Sequence, residues 1–266
     1  MPIAQALPIN TGATALQMAN NIFGAGIMVN SATYTGDGRS SGIFTNGDAV
    51  SPDLTPADTG VILSTGLATG VTNNSGSLNT NTVDNRSTNT FGVDGDSDFN
   101  SIAAGPTFDA SFLTVNFTPN GDLLTLDFVV SSEEYPEFIN SAFLDVVGIW
   151  VNGTQATVTV GNGDVSVGNI NGNTASNLYN DNTSDQFNTE MDGFTVTLSV
   201  AAPVNAGVQN TIKIGVADVS DATYDTNLLI AGGSAQASLV AVDDALNVGL
   251  NSSKTVDVLA NDVASG

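Results

Sequence analysis

Two adjacent glutamates, Glu133 and Glu134, close the apolar run LLTLDFVV (123–130) within the stretch SSEEYPEF (131–138), followed by Glu137 and Asp145. A second acidic group, D-V-S-D-A-T-Y-D, places Asp218, Asp221 and Asp225 at the end of another apolar run. A third, D-G-D-S-D, places Asp94, Asp96 and Asp98 in a polar segment. Hard oxygen donors crowded at loop positions suit Ca2+, which accepts six to eight oxygens in flexible geometry. Each group also has a plainer reading. Asp218, Asp221 and Asp225 could cap turns by accepting backbone N–H bonds. Glu133 and Glu134 cannot face the same side of an extended strand, so one is expected to point inward toward a cation shared with Asp145 and the other to be solvated. The D-x-D-x-D spacing opens like an EF-hand loop, but Phe99 and Gly105 stand where that loop needs Gly and Glu.

The charge balance sharpens the question. The 266 residues contain 27 acids against four bases, Arg39, Arg86, Lys213 and Lys254, for a formal charge of −23. Two bare carboxylates about 4 Å apart repel by about 1 kcal/mol in water and about 4 kcal/mol near a protein surface. Clustered acids therefore need a cation, or some must stay protonated. The same charge argues against nucleic acid or anionic membrane as partner. With no His and no Cys, Ser-His-Asp, Cys-His and thiolate-zinc chemistry are excluded. Paired carboxylates could hydrolyse glycosides, with Glu133 or Glu134 and Asp145 as the pair. Against that, the chain has a single tryptophan, Trp150, and few aromatics to line a sugar cleft, and Trp150 is expected beside the core of its strand.

Elements that could position these acids are legible. Leu16, Ala19, Ile22 and Phe23 fall on one face of a short helix over 13–23. IMVNSATY (27–34) and GVILSTG (60–66) read as strands, whereas residues 72–101 are polar and must form a surface loop or one ordered by something other than a core. Residues 108–132 hold two strand runs divided by Pro119-Asn120-Gly121, and 143–160 repeat the arrangement around an Asn152-Gly153 hairpin signal. GFTVTLSV (193–200) alternates, with Phe194, Val196, Leu198 and Val200 expected inside and Thr195, Thr197 and Ser199 outside. TIKIGVAD (211–218) and the segment 226–242 complete the series. The class predicted is all-β: a two-sheet antiparallel sandwich, jelly-roll-like, with a short N-terminal helix. With 41% hydrophobic residues it can bury a large core.

The ordered motifs GVILSTG, FDASFLTVNF, SSEEYPEFINSAFLDVVGIWVNG, MDGFTVTLSV and IGVADVSDATYDTNLLIAGGS resemble the choice-of-anchor L domain over about residues 10–238. The resemblance implies a bacterial surface or secreted setting and an adhesive or biofilm-matrix role without known enzymatic activity. Residues 1–240 are thus expected to form this domain and 241–266 a two-strand tail, whose Asp243-Asp244 and VLAND (258–262) resemble the start of a cadherin-like or bacterial Ig-like repeat. Such a tail could open a further repeat or add a strand to a neighbouring copy, giving head-to-tail fibres. The other expected partners are surface or matrix components. No run of about 18 apolar residues is present, so no membrane insertion is expected. The N-terminus MPIAQALPINTG lacks a basic flank and apolar core, so export is expected without a cleavable signal peptide.

Overall fold

The computed structural model describes residues 3–238 apart from 104, 157 and 159–164, together with Ser253 and Thr255. The tail expected over 241–266, its repeat-like start and its strand addition otherwise lie outside the described residues. The described strands, in chain order, are β1 (Ile9–Asn10), β2 (Ile27–Thr35), β3 (Ser41–Phe44), β4 (Gly60–Ser64), β5 (Thr107–Pro119), β6 (Leu123–Ser132) and β7 (Val146–Val151). They continue with β8 (Thr154–Gln155), β9 (Tyr179–Asp181), β10 (Gly193–Thr195), β11 (Leu198–Pro203), β12 (Asn210–Val219), β13 (Thr226–Ala231) and β14 (Gln236–Ser238). They form two antiparallel sheets, as the sequence predicts. One has the order β2-β5-β12-β7-β8. The other runs β1-β3-β4-β13-β6-β10-β9, with β11 and β14 also pairing with β6.

The main core lies between the sheets. Leu113, Val115 and Phe117 of β5 meet Leu124, Leu126 and Phe128 of β6, with Ile212 and Ile214 of β12 beside them. Helix α1 (Ala15–Ile22) closes one side of this core, started by a capping box in which Thr14 and Gln17 bond each other's backbone. Its buried face is Met18, Ala19 and Ile22, and Leu16 is exposed. The expected face was thus offset, because Met18 rather than Leu16 shares the stripe of Ile22.

Both outer faces are also partly covered. Phe44, Ile62, Val129, Phe194 and Leu229 form a second cluster, which makes β4 and β13 buried along their whole length. Continuous apolar runs in these strands follow from burial on two faces. The run 193–200 departs from its expected alternation. Between the pairs Phe194↔Ser131 and Leu198↔Phe128, four steps on one strand oppose three on the other. This bulge reverses the faces: Phe194 enters the outer cluster, Leu198 and Val200 enter the main core, and Thr195 is buried. The Thr195 Oγ1 accepts the Val130 N–H at 3.1 Å, which fills the gap in the ladder. Pro119-Asn120-Gly121 carries the chain from one sheet to the other, while Asn152-Gly153 closes the β7–β8 hairpin with both residues at positive φ.

On the other outer face, helix α3 (Ser97–Ile102, the third described α-helix after the single-turn α2, Gly47–Val50) packs Phe99 against Phe112 and Trp150. Trp150 is accordingly buried, as its strand position predicts. Lys213 Nζ lies 4.2 Å from the Phe112 ring centre and donates to Asp96 Oδ1 at 2.6 Å and to Asp98 Oδ2 at 2.8 Å. The Asp96 carboxylate also caps α3, accepting the Asp98 and Phe99 N–H groups. Lys213→Ala removes the cation from two carboxylates and three rings, and should cost about 2–3 kcal/mol in urea unfolding. A loss below about 0.5 kcal/mol would show that α3 is held by Phe99 alone.

Candidate functional site: buried carboxyls at one end of the sandwich

Strand ends from both sheets bring acids together at one end of the molecule. Asp145 immediately precedes β7 and Asp225 immediately precedes β13. Asp218 is the penultimate residue of β12, and Glu133 and Glu134 directly follow β6. Asp109 sits early in β5 at φ 47°, where the β5–β12 register jumps between Val216 and Asp218. All six acids are buried, at 1–3% exposure. The two glutamates diverge, as strand alternation requires. Neither is solvated, which corrects the expectation that one would face water: the turns after β6 and the loops beside it cover both faces.

Glu134 points toward β7. Its Oε2 accepts the Asp145 N–H at 3.4 Å, and burial, then the Asp145 charge, push its carboxyl far above the usual range. Asp145 Oδ1 accepts the Val219 N–H at 3.1 Å and its Oδ2 accepts the Thr226 hydroxyl at 2.5 Å. Burial nevertheless raises Asp145 too, and the bonds from Thr226 and Val219 only partly offset it. Asp218 is raised by burial and by the charge of Asp145, and its Oδ1 has no partner.

Glu133 points the other way, toward Arg86. Neither carboxyl oxygen has a partner in hydrogen-bonding geometry. Burial first, then the Asp192 charge, push the group up to about 9, which the nearby Arg86 backbone and guanidinium only partly offset. Asp225 Oδ1 accepts the Thr88 N–H at 2.6 Å, while Oδ2 has no partner. Gly66 makes room for this carboxyl: a Cβ there would fall 2.0 Å from Asp225 Oδ2. Four buried carboxyl oxygens thus lack partners, on Glu133, Asp218 and Asp225.

The remaining predicted residues are placed differently. Asp221 is half-buried and its Oδ1 accepts the Thr223 N–H and hydroxyl, which is the turn-capping alternative. Asp94 Oδ1 accepts the Asp109 N–H at 3.2 Å. Asp96 and Asp98 pair with Lys213, so the expectation of an acidic group without a basic partner is corrected for them. Asp109 and Arg86 at this end are outside the acidic groups the sequence singles out, whereas Glu190 belongs to a looser acidic loop with Asp181, Asp185 and Asp192 that was expected to offer at most single ligands. Asp109 accepts the Thr90 N–H at 2.9 Å; its signal was a charge inside a core strand. Glu190 is completely buried and holds Arg86 at 3.1 Å, together with the N–H groups of Thr82 and Val83. Arg86 was legible as the one base between Arg39 and Lys213.

One guanidinium among so many buried acids leaves the charge balance open. A buried carboxylate without a partner costs several kcal/mol, so protons or an added cation must neutralise the group. Among the described residues, no three acidic side chains are drawn together closely enough to hold a metal ion as they stand. The donors are all oxygen, which fits a hard cation and not a soft one. The glycosidase alternative needs Glu133 or Glu134 and Asp145 on the wall of a cleft, and their burial removes its support. Among the described residues, no helix is long and apolar enough to cross a membrane.

Neither the curated proteins nor the solved structures contain a significant match to this chain. The choice-of-anchor L domain, in contrast, matches residues 8–236, which span both sheets and every buried acid described above. On that match, the chain belongs to the choice-of-anchor L domain family of bacterial surface proteins.

Proposed function

We propose that this domain is an extracellular, calcium-braced structural module with an adhesive or biofilm-matrix role. The observation that carries the calcium reading is the set of four unpartnered buried carboxyl oxygens on Glu133, Asp218 and Asp225. Asp225 neighbours both Glu133 and Asp218, and calcium accepts oxygens at flexible angles, so turns of these side chains about Asp225 would form a site. Occupancy would tie β6, β12 and β13, and thus both sheets, at one end. A supply of calcium outside the cell and its scarcity inside would then make the closed fold conditional on export.

The adhesive reading is supported by the distribution of exposed apolar groups. Leu78, Val83, Phe91 and Val93 all project from the single polar segment 72–96, with Phe91 at 89% exposure. Side chains of this kind, displayed on a surface loop, are suited to contact with a partner surface.

Thermal unfolding in millimolar calcium and in excess chelator tests the reading. Ligand at a hundredfold excess over Kd stabilises by about 2.7 kcal/mol, which corresponds to a rise in Tm of roughly 5–10 °C for a domain of this size. Equal transitions in calcium and chelator would sink it.

A further inference from the structure

Residues 81–92 cross the acidic end in an unusual way. Six of their backbone N–H groups are taken by carboxyl groups rather than by a strand. Asn81 donates to Asp185, Thr82 and Val83 to Glu190, Thr88 to Asp225, Thr90 to Asp109 and Phe91 to Asp37. Among the described residues, the one backbone–backbone bond tying 81–92 to a strand end or its flank is from the Asp225 N–H to the Arg86 carbonyl, at 3.0 Å. Residues 82–85 are exposed on their other side. This strap therefore has almost no core or sheet of its own, and its attachment depends on where the carboxyl groups point.

We propose that the strap 81–92 is the movable cover of the acidic end, closed when a divalent cation binds the Glu133, Asp218 and Asp225 carboxyls and released when it leaves. The inference rests on the calcium reading above and adds its regulation. Its physical basis is the dual role of Asp225. One oxygen, Oδ1, accepts the Thr88 N–H, and the other, Oδ2, is among the unpartnered atoms beside Gly66. A cation on Oδ2 holds the carboxylate inward and leaves Oδ1 on the strap. Without it, Oδ2 has no partner, and the Thr88 N–H alone fixes how the Asp225 carboxyl is turned. Asp109 and Asp218 lie within paired β5 and β12, so the strap is the cover that can yield. Glu190 holds the Thr82 and Val83 N–H groups in either state. The moving part therefore runs from Arg86, whose carbonyl accepts the Asp225 N–H, to Phe91, and opening draws the Arg86 side chain off Glu190.

Arg86 supplies the readout, since trypsin can cut this chain only after its four basic residues. Cleavage needs a stretch of chain to leave the surface, so the rate at Arg86 follows strap opening. The experiment digests the full chain with trypsin at pH 8 in calcium or chelator. Cleavage at Arg39 and Lys213 in the same molecules serves as the internal control, and calcium binding is measured by calorimetry on the same preparation. Protection of Arg86 by calcium, roughly tenfold or more relative to the control sites, is expected. Calcium binding with unchanged cleavage at Arg86 would overturn the strap while leaving the calcium reading intact. Absence of calcium binding would overturn both. Thr88→Pro deletes the N–H on Asp225 and keeps every carboxyl. It is expected to bring Arg86 cleavage in calcium close to the chelator rate, and full protection in that variant would also overturn the proposal.

Discussion

Glu190→Ala is expected to lose about 3–5 kcal/mol of stability in urea unfolding, among the largest effects of any single substitution in this domain. The side chain is completely buried. It accepts the Thr82 N–H and hydroxyl, the Val83 N–H and Arg86 Nη2, each at 3.1–3.2 Å through Oε2, and also bonds the Asn73 amide. Truncation leaves these donors without an acceptor and strands the Arg86 guanidinium, whose Nε already has no partner. Removing one member of a buried pair costs more than the pair contributes, because the other charge stays desolvated. Glu190→Gln keeps one acceptor oxygen and should fall between the two. A loss below about 1 kcal/mol for the alanine variant would show that segment 72–86 is held by something other than this side chain.

The second large effect is an inverted pH dependence. Glu133 keeps its proton up to about 9 in the folded protein, against an ordinary value of 4.5. Between those values the unfolded chain has released a proton that the folded one retains. Folded protein then binds more protons, so stability falls as pH rises. Glu134 faces Asp145 and Asp221; Asp145 faces Asp218 and Asp221; Asp218 faces Asp109 and Asp225. Burial raises Glu134, Asp145, Asp218, Asp225 and Asp109, and it pushes Asp192 up to about 6. All act in the same direction as Glu133. Asp37 acts oppositely, because Arg39 beside it holds its carboxyl far below the usual range, so its contribution is lost only in strong acid. In chelator, Tm is therefore expected to drop by roughly 5–10 °C between pH 5 and 8.5. Calcium should flatten the slope by replacing the protons. Glu133→Gln mimics the protonated state, so it should be more stable than the parent at pH 8.5 in chelator and respond less to calcium. A Tm that rises with pH in chelator would contradict the assignment of these acids as protonated in the fold.

Much of the architecture was readable in the sequence, and the reason is periodicity. Strands such as 27–35, 60–64 and 210–219 declare themselves because their buried or half-buried positions recur at close to every second residue or fill a whole run. Helix α1 was readable too, though Leu16 was assigned to the wrong face. In the run 193–200 the burial of Phe194, Leu198 and Val200 and the exposure of Thr197 and Ser199 were readable. The burial of Thr195 and the change of face were not, because a bulge depends on which residue of β6 lies opposite and no local pattern encodes that. Residues 72–101 left two readings open, a surface loop or one ordered by something other than a core, because the carboxyl acceptors that order residues 82–88 lie a hundred or more residues away, in particular on Glu190 and Asp225.

The acids divide along the same line. Sequence alone determined that this chain has too many carboxylates for its bases, that they cluster after apolar runs, and that His- or Cys-dependent chemistry is absent. Residue order placed Glu133, Glu134, Asp145, Asp218 and Asp225 at strand ends. Tertiary structure alone decided which of them lose their water. It buried those five with Asp109, left Asp221 to cap its own turn, and gave Asp96 and Asp98 to Lys213. Composition counts charges, but desolvation depends on what the other sheet and the crossing strap place above each one. At this end of the sandwich that covering turns ordinary surface acids into groups that must be neutralised.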